Sequence, residues 1–278
     1  MNSTFRFIAI LFSMLIAFYA CDNPSSPGAE THEGEIQTGG ISYKVNTIDK
    51  TIGSCDADTG CLRLSFSILE WENLPVNFND KQLLKWTNER MFSFWQTDTV
   101  YSGMDALLNT VIKEYANLAK DSSDRIEWVF ERNMEVIENN KAYFTLLFSE
   151  TSYAGGAHPN SFEFYKSFNT ATGQPNRLEE MFTPMFETQL TKMAEGIFRA
   201  QKKITPTEDL EKAGYWFDNG EFKLPLKNYC LTANGLLFHY NSYEIAPYAE
   251  GSTTIVIPWD KLVKLMKEEK MSDYLSHV

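Results

Sequence analysis

Tyr143–Phe168, YFTLLFSETSYAGGAHPNSFEFYKSF, is the stretch that decides the fold. Phe144, Leu146 and Phe148 recur at every second position, as do Phe162 and Phe164, and a period of two marks half-buried strands. Between the two runs lies Tyr153-Ala154-Gly155-Gly156-Ala157-His158-Pro159-Asn160. Two adjacent glycines free the backbone for positive φ or close approach, so this segment is expected to turn the chain as a hairpin or bulge.

Toward the N-terminus, Ile41–Val45 reads as a strand, and Leu62, Leu64, Phe66 and Ile68 alternate with Arg63, Ser65 and Ser67 as another. The period then changes. Asp80 is expected to cap a helix through Leu83, Leu84, Trp86 and Thr87 toward Phe94, and Leu107, Leu108, Val111, Ile112, Tyr115 and Leu118 place one apolar stripe on a second. Toward the C-terminus, Asn169–Gly173 is a turn, and a helix after Pro184 buries Leu190, Met193, Ala194, Ile197 and Phe198. A short helix is expected from Pro206 to Glu211. Strands at Tyr229–Thr232 and Leu236–Tyr240 flank a turn at Asn234-Gly235, a strong hairpin signal. Thr254–Ile257 forms a late strand, and Pro258 starts a final helix that packs Leu262, Leu265 and Met266 inward. This order predicts an α+β fold: antiparallel sheets with packed helices, in two intimately associated subdomains, residues 40–150 and 151–278.

The first residues give an address. Arg6 precedes an uncharged, mostly apolar run of 14 residues, Phe7–Ala20, shorter than the roughly 20 that span a bilayer and suited to the core of a secretory signal. Ala20 stands directly before Cys21, and a Pro/Ser/Gly tether follows. The arrangement resembles a bacterial lipoprotein signal, with residues 1–20 removed, Cys21 lipidated and residues 21–39 a flexible tether, although Phe18 replaces the usual Leu. The alternative is a plain secreted chain. Without residues 1–20 the protein keeps 24 basic and 37 acidic residues, a net charge of −13. Such a chain repels phosphate, which argues against nucleic acid as a partner; its membrane partner is the lipid anchor's bilayer, and a cationic protein would be attracted.

Cys55 and Cys61 bracket a short loop that a disulfide could close in an oxidising compartment. Asp56, Asp58 and Gly60 look superficially like a calcium loop, but the twelfth position is Ser67 where a Glu is required. Cys230 reads as a buried apolar side chain.

No catalytic signature emerges: no nucleophile elbow, phosphate loop or His-Glu-x-x-His pair, and no cofactor or metal is implied. Among the four histidines, His32 and His277 fall near the ends of the chain. His239 is expected at the surface or rim, since Phe238 faces the core, and His158, beside the double glycine, either belongs to a site or holds the hairpin through a backbone hydrogen bond. Glu179 and Glu180 read as a solvated helical turn. Tyr243-Glu244-Ile245-Ala246-Pro247-Tyr248 is rich in tyrosine, whose rigid apolar ring and polar tip suit recognition surfaces as well as ordinary packing.

Taken together, Tyr153–Pro159, Asn169–Gly173, Leu178–Phe182, Leu236–Phe238, Tyr243–Gly251 and Ile257-Pro258 resemble, in order and spacing, the uncharacterised extracellular domain of the anti-sigma factor RsiV and of the peptidoglycan deacetylase PdaC. The resemblance extends over about residues 150–268, with residues 40–150 similar to the companion domain that precedes it. It implies a stand-alone, lipid-anchored binding or sensor module of the bacterial envelope, periplasmic or surface-exposed, that recognises a wall glycan or an envelope-directed protein such as lysozyme. The ligand-binding candidates are Tyr153, Gly155, Gly156, His158, Asn160, Tyr243, Glu244 and Tyr248. The alternative is an envelope glycan hydrolase or deacetylase-type enzyme with His158 and Glu244 as acid and base.

Overall fold

The computed structural model describes residues 31–33, 40–55, 60–94, 97–121 and 127–275. Residues 1–20, expected to be a signal, Cys21, expected to carry the lipid, and Asp56, Asp58 and His277 lie outside the described residues. In chain order the elements are β1 (Thr31–Glu33), β2 (Ser42–Gly53), β3 (Cys61–Glu72), α1 (Lys81–Met91), β4 (Ser93–Phe94), β5 (Thr97–Val100), α2 (Met104–Asp121), β6 (Trp128–Asn139), β7 (Tyr143–Tyr153), β8 (Asn160–Asn169), α3 (Leu178–Met181), α4 (Phe186–Lys202), β9 (Tyr229–Thr232), β10 (Gly235–Tyr240), β11 (Thr253–Pro258), α5 (Trp259–Leu262) and α6 (Glu268–Leu275). β1 places residues 31–33, expected within the tether, against β2.

Strands β1-β2-β3-β6-β7-β8 make a six-stranded sheet in that order, and β11-β10-β9 make a three-stranded one. The α+β reading holds, with one amendment to its antiparallel pairing. β3 and β6 run parallel, because α1, β4, β5 and α2 form a long crossover between them, as parallel neighbours require. β7 and β8 form the hairpin read from the sequence, in register from Tyr143↔Asn169 to Ser152↔Asn160.

One face of the large sheet presents Leu62, Leu64, Phe66, Phe130, Met134, Phe144, Leu146 and Phe148, buried with Leu83 and Met91 of α1 and Leu107, Leu108 and Val111 of α2. Leu118, expected on the same stripe, is 48% exposed near the end of α2. Asp80 makes no side-chain cap for α1; the Asn79 carboxamide accepts from the Lys81 N–H at 3.2 Å instead. Inside this core lies a charge. Arg132 is 1% exposed and donates to Glu150 at 2.7 Å and to the Met91 and Ser93 carbonyls at 2.8 and 2.6 Å. Arg132 and Glu150 face each other across β6 and β7, so the guanidinium joins the sheet to the end of α1 and the start of β4. Burial pushes the Arg132 pKa down, and the Glu150 carboxylate opposes that shift.

The second core belongs to residues 178–274, with Tyr143 as its contribution from the large sheet. Leu190, Ala194 and Phe198 line the buried face of α4, while Met193 and Ile197 are half-buried against the same core. Residues 206–211 form turns where a helix was expected, because Glu208 and Asp209 bond to the nearby backbone N–H groups of Thr205 and Lys212. The chain after Pro258 is also interrupted. Thr183 N–H donates to Leu265 O and Lys267 N–H to Met181 O, so the backbone leaves the helix to pair with the 181–183 segment and resumes as α6. At the β9–β10 turn the central residues are Ala233 and Asn234, since Gly235 already pairs with Thr232. Gly235 is required by close approach: a Cβ there would stand 2.1 Å from Ile257 O.

The boundary expected at 150/151 lies inside β7. The cores part instead between Phe168 and Leu178, which gives the β7–β8 hairpin and its loop to the first unit. Replacing Glu150 with Ala strands the Arg132 charge and is expected to cost about 3–5 kcal/mol in urea unfolding, whereas Arg132→Met combined with Glu150→Leu is expected to recover most of that loss. A double variant as unstable as Glu150→Ala would show that the pair does more than neutralise itself.

Candidate functional site

Tight reversal between β7 and β8 is made by Gly155 and Gly156 at φ 95° and 116°, backbone angles that residues with a Cβ rarely adopt. Tyr153 closes the loop by donating from its hydroxyl to Gly156 O at 3.1 Å. His158 then projects toward the other unit. Its Nδ1 lies 2.9 Å from Pro159 O, and a carbonyl only accepts, so Nδ1 carries the proton. In the neutral ring Nε2 is left to accept from the Tyr243 hydroxyl at 3.1 Å. Tyr248 stacks on the same imidazole, with centroids 3.6 Å apart and planes 11° from parallel, and donates to Pro159 O at 3.3 Å. Tyr243 and Tyr248 are themselves 5.6 Å apart. Tyr243 holds φ 69°, a left-handed conformation that costs a tyrosine energy, and its side chain is about half exposed.

Three of the residues expected in the site, His158, Tyr243 and Tyr248, are therefore brought together across the two units. Tyr153, Gly155 and Asn160 take part differently: with Val111, Trp128, Val129, Phe130, Ser152 and Ala154 they line a cavity of about 220 Å³ at the base of the same loop. Glu244 stands apart. It is exposed and accepts from the Asn241 carboxamide at 3.4 Å, and no contact joins it to His158 among the described residues.

Sequence reasoning missed the joint beneath this platform. β8 is an edge strand, and its open backbone groups are met by side chains of the second unit. Glu163 N–H donates to Asn241 Oδ1 at 2.6 Å and Tyr165 N–H to Asn228 Oδ1 at 2.8 Å. Both amide nitrogens return to Glu163 O, at 3.1 and 2.9 Å. Farther along, Thr145 donates to Leu231 O and the Leu231 N–H to Ser167 Oγ.

His239 sits behind this joint, not at the surface as alternation implied: it is 1% exposed. β10 is the middle strand of its sheet, and nearly every residue of β9 and β10 is buried on both faces, so alternation carries no information there. His239 Nδ1 lies 2.8 Å from Thr254 Oγ1. Its Nε2 has no hydrogen bond and points at Glu163 Oε2 from 3.6 Å, an oxygen that already accepts from Tyr165.

Cys230 is fully buried and unpaired, with its thiol pKa pushed up by burial, which makes it unreactive. Cys55 and Cys61 are disulfide-bonded, with Cα atoms 4.8 Å apart. Those two sulfurs and Glu127 lie close together, but the disulfide leaves no thiolate to ligate a metal.

Burial drives the His239 pKa down, against the pull of Glu163 and Glu244. A depressed folded-state value means that the native state binds fewer protons, so the neutral ring's contribution is present above the unfolded value near 6.5 and is lost as pH falls below it. His239→Gln is accordingly expected to lose less thermal stability than the parent between pH 7.5 and 5.5. Equal losses in both proteins would remove His239 from the pH dependence.

Two family models match the chain: residues 55–161 match Deacetylase PdaC, and residues 179–260 match Protein of unknown function (DUF3298). Among solved structures, a member of the DUF3298 family from Bacteroides fragilis superposes with a TM-score of 0.64 at 20% identity, over 87% of this chain and 99% of that one. A DUF3298 family protein from Pseudomonas aeruginosa gives a TM-score of 0.58 at 17% identity, over 82% of this chain and 95% of that one. No curated protein matches significantly. The resemblance read from the GGAHP loop and the motifs after it is thus supported in both units, and the fold is that of the two solved neighbours. The matches agree with an extracellular, envelope-related module, and they part between residues 161 and 179, where the two cores part. No described helix is long and apolar enough to cross a membrane.

Proposed function

We propose that the chain is a lipid-anchored binding module of the bacterial cell envelope that recognises a wall glycan through the face formed by Tyr243, His158 and Tyr248. The carrying observation is the stacked trio itself. Its rings come from two separate units, His158 is fixed at both nitrogens, and Tyr243 remains half-exposed. An aromatic face held rigid before binding loses little entropy on contact with the apolar face of a sugar ring. Direct packing of the imidazole against Tyr248 also leaves His158 poorly placed for acid–base work with Glu244, which disfavours the hydrolase or deacetylase reading.

A second reading, an envelope-directed basic protein such as lysozyme, is favoured by the formal net charge of −12. Complementary fields raise association rates and make binding fall with salt.

Sedimentation with purified peptidoglycan tests the first reading. Tyr243→Ala and Tyr248→Ala are each expected to weaken retention by about ten-fold, the effect of losing about 1.4 kcal/mol of contact, with unchanged circular dichroism; full retention by both variants would sink the glycan reading. Lysozyme capture that vanishes at high salt but survives both substitutions would favour the protein partner. Turnover of peptidoglycan fragments lost in both His158→Ala and Glu244→Ala would restore the enzyme. For the anchor, Cys21→Ser is expected to move the protein from the membrane fraction to the soluble one, and unchanged fractionation would contradict lipidation.

A further inference from the structure

The cavity at the base of the β7–β8 loop has a composition that the aromatic face does not explain. Val111 from α2 and Phe130 from β6 form its apolar floor, at 1% and 2% exposure, with Trp128 at 7% beside them. Ser152 lies on the same wall. The residue is 7% exposed, and its hydroxyl makes no hydrogen bond to any described residue; it is not among the enclosed polar atoms without a partner, and the residue lines the cavity. Ser152 pairs with Asn160 across the hairpin, which brings the exposed Asn160 carboxamide to the rim. Among the described residues, no charged side chain lines the space.

From these observations we infer that this cavity is a second binding site, for one neutral ring that carries an amide, of the kind presented by an N-acylated amino sugar. Volume sets the size: about 220 Å³ is below the roughly 300–1,000 Å³ of pockets for larger ligands, and admits a single ring. Chemistry sets the class. The floor takes an apolar ring face or a methyl group. The free Ser152 hydroxyl both donates and accepts, and Asn160 offers a further donor and acceptor, a set that complements an amide. Among the described residues a cationic amine finds no carboxylate there and an anion no basic side chain, and an anion also faces the field of an acidic chain. Because Tyr153, Gly155 and Asn160 belong to the loop that also carries His158, a glycan on the aromatic face could place one residue in the cavity. The inference deepens the glycan reading but does not need it, since the two surfaces are formed by different side chains.

Saturation-transfer NMR on the full chain, with N-acetylglucosamine, glucosamine and glucose as separate probes, tests it. N-acetylglucosamine is expected to bind in the millimolar range and the other two at least about ten-fold more weakly, the loss of one well-placed polar contact. Val111→Phe fills the floor and is expected to abolish the preference for N-acetylglucosamine over the other two sugars. Asn160→Ala, at an exposed position, is expected to weaken N-acetylglucosamine binding by about ten-fold. No transfer to N-acetylglucosamine, equal binding of the three sugars, or binding unaltered by Asn160→Ala would overturn the site. Failure of the cavity with peptidoglycan retention still sensitive to Tyr243→Ala would remove the cavity alone. The reverse pattern would remove the aromatic face alone.

Discussion

The closing of β8's open edge is the interaction on which the molecule's organisation depends. An edge strand displays unpaired N–H and C=O groups that would recruit another strand, and here Asn228 and Asn241 answer them with carboxamides that each donate and accept. Two residues of the second unit thus act as a discontinuous strand. Because their bonds are buried or partly buried and directional, they fix the small sheet against the large one in a single register, which nonspecific apolar contact would not do.

Everything at the candidate site follows from that register. Asn241 is separated from Tyr243 by one residue, so locking its amide onto Glu163 delivers the tyrosine to His158 at the end of the neighbouring hairpin. His239, on the adjacent strand, is enclosed by the same closure, and its unbonded Nε2 faces Glu163. The Arg132–Glu150 pair plays the corresponding part inside the first unit, holding the sheet to the end of α1 through backbone carbonyls. In both places polar groups set geometry while apolar burial supplies most of the stability.

Several features were legible beforehand for definite reasons. Strands β3 and β7 each have one face in the core shared with α1 and α2, so the period of two survived there, while on β8 Phe162 stays 39% exposed; the double glycine marked the loop because no other residue type adopts those angles cheaply. The apolar stripes of α2 and α4 were equally plain. Other features were hidden. Continuous burial of β9 and β10 erased alternation and put His239 on the wrong side. Backbone pairing with residues 181–183 broke the last helix where its sequence gave no signal, and Asn79 took the capping role from Asp80 at a position equally suited to it.

By itself the sequence determined the α+β class, the loop at Gly155-Gly156, most of the core residues and a composition hostile to nucleic acid, because these depend on local conformational preference, hydrophobic period and net charge. Only the tertiary structure decided that β3 and β6 are parallel, that the two cores part after β8, that Glu244 is not a partner of His158, and that Ser152 faces a cavity. Each of these is a relation between residues far apart in the chain, fixed by how buried polar groups find partners across the fold, and no local pattern encodes which of many suitable partners is met.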